Sequence, residues 1–259
     1  MRTKRIVLTV LLWLLTVTVV SAQTAPSLST VKPEQVGLSS ERLARITARL
    51  RDDVEKGTIP GAVLLVARQG KVALFETVGA RDPQTKAPMT KDAIFRIYSM
   101  SKPITSVAAM VLLEDGKVSL ADPVSRYVPQ LGGLKVGPEQ APARRDMTVQ
   151  DLFRHTSGLT YGFFGNTPVK KMYVDSKVWN DYPTNAELVD RLARMPLAHQ
   201  PGAVWDYSHS TDVLGRLIEV ISGKSLYEFE KERLLDPLGM KDTAFYVTDP
   251  KKHDRIAEP

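Results

Sequence analysis

The segment from Ile104 to Leu113 constrains the fold more than any other part of this sequence, because it is apolar around most of a helix. Its apolar residues recur at spacings of three and four and also fill the positions between them: Ile104, Val107, Ala108, Ala109, Met110, Val111, Leu112 and Leu113. A helix that is apolar on nearly all sides lies inside a protein. We therefore expect a largely buried helix that starts at Ser99 and runs to Asp115, with Gly116 ending it.

A crowded polar turn precedes this helix, with Ser99, Lys102 and Pro103 close together in the sequence. Proline is tolerated in a first helical turn, where the N–H groups are free. Ser99 and Lys102 are three residues apart, so their side chains emerge on one face. A serine becomes a nucleophile when a neighbouring base takes its proton, and burial together with the helix dipole helps a lysine to act as that base. The alternative is an N-cap serine followed by a solvated lysine, which the motif alone does not exclude.

The first 22 residues predict a secretory signal peptide, because a basic start precedes an apolar run over 6–20 and small residues over 20–22. The alternative is a transmembrane anchor, but the run is short for a bilayer. We expect cleavage after Ala22, no stable membrane anchor afterwards, and export to the periplasm or beyond. Residues 23–259 then form one domain, which is long enough to bury a substantial core.

The charge pattern argues against nucleic acid as a partner. The whole chain carries 35 basic and 29 acidic residues, but three basic residues belong to 1–22, so 32 against 29 leaves a net charge of +3. No basic block with interleaved aromatics occurs. The absence of cysteine excludes disulfides and thiolate sites, and the four histidines show no metal-binding spacing: His155, His199, His209 and His253. We expect no metal and no cofactor.

The remaining patterns predict one helix, a β-hairpin and then mostly helices. A helix starts at Ser39 or Ser40 and stops at Gly57, and a hairpin over 62–79 turns at Gln69-Gly70. Further helices are expected at 185–195, 212–222 and 225–234. Residues 160–183 read as a long surface loop beside a pocket, and 243–247 as a strand.

At this point the chain resembles the serine β-lactamase/penicillin-binding-protein superfamily, whose S-x-x-K serine is a nucleophile. The segments IFRIYSMSKPITSVAAMVLLEDGKVSLADPVSRYVPQL and MTVQDLFRHTSGLTYGFFG are similar to its class C-like branch, which includes β-lactamases, D-amino-acid-releasing peptidases and family VIII carboxylesterases. The resemblance covers residues 38–247. It implies an α/β (α+β) fold, in which helices flank an antiparallel sheet beside an all-helical lobe.

The same resemblance identifies the third site residue. It also shows one position at which this sequence departs from the family pattern. VWDYSHSTDVLGRLIEVISG matches the segment whose tyrosine assists proton transfer, which makes Tyr207 the proton shuttle beside Ser99 and Lys102. Alone, Tyr207 would be read as a packed aromatic. His209 stands where β-lactamases of this class carry an asparagine that holds the lactam side chain. Imidazole does not reproduce that amide fork. His209 could equally be structural, hydrogen-bonded locally at a helix start.

The resemblance favours a serine hydrolase that forms an acyl-enzyme with a small carboxylic ester. A β-lactamase or D,D-peptidase acting on an amide is the second possibility, and a non-catalytic penicillin-recognising protein is the third. His155 is expected to be a structural turn residue rather than part of a Ser-His-Asp triad, since no G-x-S-x-G motif occurs. The oligomeric state is left open.

The family's third signature, K-T-G or a glycine-containing variant on a later strand, does not occur in the sequence. We therefore expect the chain to be truncated at its C-terminus and to lack the last strands of the sheet. One oxyanion donor would then be the N–H of Ser99, and the other would be absent.

Overall fold

The computed structural model describes residues 28–181 and 183–259. The predicted signal peptide over 1–22 lies outside these residues. Within the described ranges, no helix is both long enough and apolar enough to cross a bilayer.

A small sheet forms from the predicted hairpin and two short additions. Its strands are β1 (Ser29–Thr30), β2 (Gly61–Arg68), β3 (Lys71–Asp82) and β4 (Ala87–Pro88). The hairpin strands β2 and β3 pair antiparallel, β1 joins β3 in parallel, and β4 pairs with β3. Gln69 and Gly70 both have positive φ, 53° and 69°, as a two-residue hairpin turn requires. The hairpin prediction is therefore confirmed.

The first helix, α1 (Ser40–Glu55), lies on this sheet as its sequence pattern predicts. Ser39 is the N-cap, and its side chain accepts a hydrogen bond from the Arg42 N–H at 3.3 Å. Leu43 packs with Val36 and Ala73 in a small core between helix and sheet. Apolar packing thus joins the helix to β3.

The rest of the chain builds a helical lobe, which contains the main core. Its helices are α2 (Ser101–Glu114), α3 (Val149–Phe153), α4 (Pro168–Ser176), α5 (Asn185–Leu192), α6 (Ser210–Ser222) and α7 (Leu226–Glu230), and a small hairpin pairs β5 (Lys135–Val136) with β6 (Ala141–Pro142). Helix α6 lies at the centre and contacts α2, α3, α5 and α7. Val213, Leu214, Leu217 and Ile218 of α6 are fully buried. The α/β fold with a helical lobe is confirmed.

Helix α2 differs from its prediction in two ways. It begins at Ser101, because a short 3₁₀ turn over Tyr98–Met100 precedes it and holds Ser99. Its inner face is buried through Ala108 and Leu112, but Val107 and Met110 are 43% and 53% exposed. The prediction of a largely buried helix is therefore wrong for the outer face of α2 within the described residues. Helices α6 and α7 pack on only part of its circumference.

Two other predictions also need correction. Residues 160–183 are not one long loop, because Thr167 caps α4 and Pro168 occupies its first turn. Residues 243–247 form no strand: Phe245 and Tyr246 are 50% and 79% exposed, and β-propensity needs a neighbouring strand to act on. The pairing occurs further along, where the N–H of Ala257 donates to the carbonyl of Ile94 at 2.9 Å.

Candidate active site

Ser99 and Lys102 meet at the start of α2, as their spacing predicts. Lys102 Nζ donates a hydrogen bond to Ser99 Oγ at 3.2 Å. Ser99 is exposed in the 3₁₀ turn, and Lys102 is half-buried in the first turn of α2. The preceding residue, Tyr98, has a φ of +44°, a backbone conformation that non-glycine residues rarely adopt. The sharp bend therefore presents the serine hydroxyl to solvent beside an ammonium group.

Tyr207 comes from the segment before α6 and joins the same pair. Lys102 Nζ lies 4.7 Å from the centre of the Tyr207 ring. Burial raises the pKa of the Tyr207 phenol, but hydrogen bonding to Lys102 and Ser99 and the Lys102 charge outweigh burial and lower the pKa below its ordinary value. The structure thus brings together all three residues that the sequence analysis selected, although the chain separates Tyr207 from Ser99 by more than a hundred positions.

His155 lies in a turn, as expected, but its ring also packs against the site. Its φ is +53°, and its carbonyl accepts a hydrogen bond from the Asp206 N–H at 3.0 Å. Its Nδ1 accepts from the Ser208 N–H at 3.3 Å, and its ring centre lies 4.8 Å from that of Tyr207. Burial and the Lys102 charge lower the pKa of His155. The sequence analysis missed this contact with Tyr207.

A buried chain of three serine hydroxyls holds the backbone that directly follows Tyr207. Ser210 Oγ lies 2.8 Å from both Ser157 Oγ and Ser208 Oγ. All three residues are at most 1% exposed. Because each hydroxyl both donates and accepts, the chain is self-satisfying and joins the turn after His155 to the start of α6. The sequence offered only a cluster of serines as a signal.

A buried lysine ties the aromatic loop to the tyrosine segment. Lys170 Nζ donates to the Phe164 carbonyl at 2.7 Å and forms an ion pair with Asp206 at 3.1 Å. His199 Nε2 lies 3.4 Å from the same carboxylate. The lysine and aspartate side chains are 14% and 10% exposed. This cluster holds the loop that carries Phe163 and Phe164 next to Tyr207, and the sequence analysis did not identify it.

A cavity of about 410 Å³ lies beside Tyr161, and we call it the aromatic pocket. Its walls are mostly aromatic and apolar, with one histidine and one carboxylate: Tyr161, Phe163, Trp179, Pro183, Asn185, Leu188, His209 and Asp212. The sequence analysis expected a pocket beside residues 160–183, and this expectation is confirmed.

The structure agrees with one of the two alternatives given for His209, a histidine that is hydrogen-bonded locally at a helix start. It is the N-cap residue of α6, and its Nδ1 lies 3.0 Å from Asp212 Oδ2. It is 3% exposed, and its ring packs edge-on against Tyr161 with centres 4.5 Å apart. Because a carboxylate only accepts, Nδ1 carries the proton of this hydrogen bond. His209 is therefore locally bonded and also lines the pocket.

Comparisons with known proteins agree with this geometry. A profile described as Beta-lactamase matches residues 46–258. Protein Rv1367c of Mycobacterium tuberculosis is 39% identical over 214 residues, which cover 78% of this chain and 51% of that protein. Esterase EstB of Burkholderia gladioli is 32% identical over 241 residues, 89% of this chain and 60% of the esterase. The solved structure of EstCE1, described as a hydrolase with promiscuous acyltransferase activity, superimposes with a TM-score of 0.74 at 29% identity and covers 83% and 55% of the two chains. The chain spans about half the length of the first of these proteins and somewhat more of the other two.

Proposed function

Because this chain belongs to the beta-lactamase family, we propose that it is a serine hydrolase that cleaves carboxylic esters through an acyl-enzyme. The observation that carries the proposal is the contact of Lys102 Nζ with Ser99 Oγ at 3.2 Å, with the Tyr207 ring 4.7 Å from the same nitrogen. Nucleophilic catalysis by serine requires a proton acceptor within reach of the hydroxyl, and the Tyr207 phenol, whose pKa the Lys102 charge lowers, can take that role.

Each of the three residues has a separate role in the proposed reaction. Ser99 Oγ bonds to the ester carbonyl carbon while its proton passes to the Lys102–Tyr207 pair. The tetrahedral intermediate collapses, the C–O bond to the alcohol breaks, and the pair returns the proton to the alcohol oxygen. Water then attacks the acyl-enzyme and gives its proton to the same pair, which releases the acid and restores Ser99. The Ser99 N–H is one donor for the oxyanion.

Two observations favour esters over lactams. The similar protein EstB is named an esterase. His209 is bonded to Asp212 through Nδ1, so its imidazole does not offer the donor and acceptor fork that an asparagine amide gives to a lactam side chain. We therefore prefer esters to β-lactams as the substrate class.

The proposal is tested with p-nitrophenyl butyrate and a fluorophosphonate label. We expect hydrolysis and covalent labelling at Ser99, and loss of both in Ser99→Ala. The exposed serine Ser176 on α4 provides the matched control, because Ser176→Ala should keep both. Labelling and hydrolysis that persist in Ser99→Ala would remove the nucleophile from the proposal.

The second candidate is a β-lactamase or D,D-peptidase, and the family match over residues 46–258 supports it. A chromogenic cephalosporin compared with the p-nitrophenyl ester separates the two candidates. A much higher kcat/KM for the cephalosporin would overturn the preference for esters. Covalent labelling of Ser99 by fluorescent penicillin without turnover of either substrate would instead favour a non-catalytic penicillin-recognising protein.

We also propose export, which rests on the sequence of residues 1–22 alone. The mature mass after expression in a bacterial host with an intact secretion pathway tests this proposal. We expect a chain that begins at Gln23 in the periplasmic fraction, and an uncleaved chain in the cytoplasmic fraction would contradict it.

A further inference from the structure

The aromatic pocket adjoins the serine but is not used by the reaction described above. Tyr161 is the shared wall, because it lines the pocket while its ring centre lies 5.6 Å from Lys102 Nζ and 5.5 Å from that of Tyr207. Lys102 in turn contacts Ser99 Oγ at 3.2 Å. A substituent on a carbonyl bound at Ser99 therefore reaches the pocket by passing one aromatic ring.

The electron-rich groups around the pocket are the second observation. Tyr161, Phe163 and Trp179 present aromatic surfaces, and the Phe163 and Trp179 rings stand at 84° with centres 6.0 Å apart. Two rings at right angles form a corner that faces a guest from two sides. Aromatic faces carry negative electrostatic potential and attract organic cations.

Asp212 adds a formal negative charge to this corner. Its side chain is 39% exposed and is hydrogen-bonded to His209. It lies in the first turn of α6. Among the described residues that line the pocket there is no lysine or arginine.

His209 contributes in the same direction. Its Nδ1–H is used by Asp212, and its Nε2 is buried with no hydrogen-bond partner among the described residues. In the neutral imidazole this nitrogen is a free acceptor. The pocket thus combines aromatic faces, a carboxylate and an unused acceptor, a set that suits a cation and disfavours an anion.

We propose that the aromatic pocket binds an organic ammonium group, and that this group belongs to the ester cleaved at Ser99. The assignment of this group to the cleaved ester rests on the proposed function, whereas binding of an ammonium group does not. Rings of Trp179 and Phe163 contact the ammonium substituents, and the Asp212 carboxylate supplies the opposite charge. The ammonium group lies beyond Tyr161 from Lys102, which does not itself line the pocket.

A binding experiment tests the pocket without requiring catalysis. Choline and 3,3-dimethylbutan-1-ol have the same shape and differ in charge, and their affinities are measured by calorimetry on the Ser99→Ala chain. We expect choline to bind about tenfold more tightly, the range of a cation held by aromatic rings and a partly exposed carboxylate. When Asp212→Asn is added to the Ser99→Ala chain, the preference for choline over the neutral alcohol should shrink severalfold. The matched change Asp52→Asn on α1 should leave this preference intact.

Trp179→Leu provides a second variant in case Asp212→Asn unfolds, which circular dichroism would show. Leucine keeps apolar contact but has no aromatic face, so choline should lose more affinity than the neutral alcohol. The proposal would be overturned if choline and the neutral alcohol bound the Ser99→Ala chain equally tightly, or if choline did not bind detectably. It would also be overturned if the preference for choline survived both pocket variants. Tighter binding of the neutral alcohol would mean that the pocket is only an apolar site.

A kinetic experiment then separates this proposal from the proposed function. The substrates are p-nitrophenyl 4-(trimethylammonio)butanoate and p-nitrophenyl 5,5-dimethylhexanoate, which differ in charge at one atom. We expect the ammonium ester to have the higher kcat/KM by about tenfold, and the ratio to fall in Asp212→Asn. Hydrolysis of both esters at equal rates would sink the substrate assignment while the serine hydrolase proposal stood. Selective choline binding without any ester hydrolysis would overturn the serine hydrolase proposal and the substrate assignment with it, while ammonium binding by the pocket stood.

Discussion

The two sides of the candidate site are built differently. One side is the serine turn, residues 98–102, which is exposed and bends sharply at Tyr98. The other is the tyrosine wall, residues 155–161 together with 205–212, which contains a buried serine chain and an ion pair. The serine turn takes its geometry from neighbours in sequence, whereas the tyrosine wall depends on many contacts between distant segments. A reactive hydroxyl needs access to substrate, so the exposed serine is paired with a tyrosine wall that long-range contacts hold in place.

The largest expected effect falls where the two sides meet, at Lys102. Lys102→Met removes the ammonium that contacts Ser99 Oγ and lies against the Tyr207 ring. We expect kcat to fall by about a thousandfold or more, because the phenol loses the neighbouring charge that lowers its pKa and with it the ability to take the serine proton. The matched variant Lys171→Met changes an exposed lysine on α4 and should keep kcat. A fall of less than tenfold in Lys102→Met, measured with p-nitrophenyl butyrate, would contradict this role.

A core substitution compares the buried centre of the helical lobe with the exposed face of α2. Leu217 of α6 is fully buried, whereas Met110 of α2 is 53% exposed. Leu217→Ala should lower the free energy of unfolding by about 2–5 kcal/mol, since it removes buried methyl groups and leaves a cavity. Met110→Ala should change it by about 0.5 kcal/mol or less. Urea unfolding monitored by circular dichroism compares the two, and similar losses would show that the exposed face of α2 is packed in solution.

The serine chain of the tyrosine wall should contribute less than the core. Ser210→Ala deprives Ser157 and Ser208 of their shared hydroxyl. Leaving buried polar groups without partners costs about 1–3 kcal/mol. We also expect a lower kcat, because the segment that follows Tyr207 is held less firmly. A stability loss with kcat unchanged would limit the chain to a structural role.

The smallest expected effect concerns a buried contact between α7 and α2. Glu230 accepts a hydrogen bond from Thr105 Oγ1 at 2.8 Å, and burial raises the pKa of this carboxyl against the opposing effect of the bond. A raised folded-state pKa means that the folded chain holds this proton when the unfolded chain has lost it. Stability therefore falls as the pH rises from the unfolded value towards the folded one.

Glu230→Gln keeps the shape and an acceptor for Thr105 but has no proton to lose. We expect this variant to unfold at a higher temperature than the parent at pH 7 and at a similar temperature at pH 4. Thermal unfolding at the two pH values provides the measurement. A variant that is less stable than the parent at both would show that the carboxyl is fully accommodated in its ionised form.

Local signals in the sequence were enough for the hairpin, α1 and the pairing of Ser99 with Lys102. Turn residues at Gln69-Gly70, a capping serine before α1 and a three-residue spacing act over a few residues, so no distant contact is needed to interpret them. Family resemblance added Tyr207, which no local pattern would have linked to Ser99. The start of α4 carried the same kind of local signal in Thr167-Pro168, and the prediction of a loop there overlooked it.

Only the tertiary structure decided which surfaces are covered and which side chains share a site. The apolar pattern of α2 predicted a largely buried helix, but burial depends on what packs against each face, and Val107 and Met110 remain exposed in the described chain. The β-propensity of 243–247 had no neighbouring strand to act on. His155, Lys170 and Asp212 reach the site through long-range contacts, whose free energy depends on distances that a sequence does not state. Hydrogen bonds and ion pairs act over a few ångströms, so only the folded chain determines which of these residues meet.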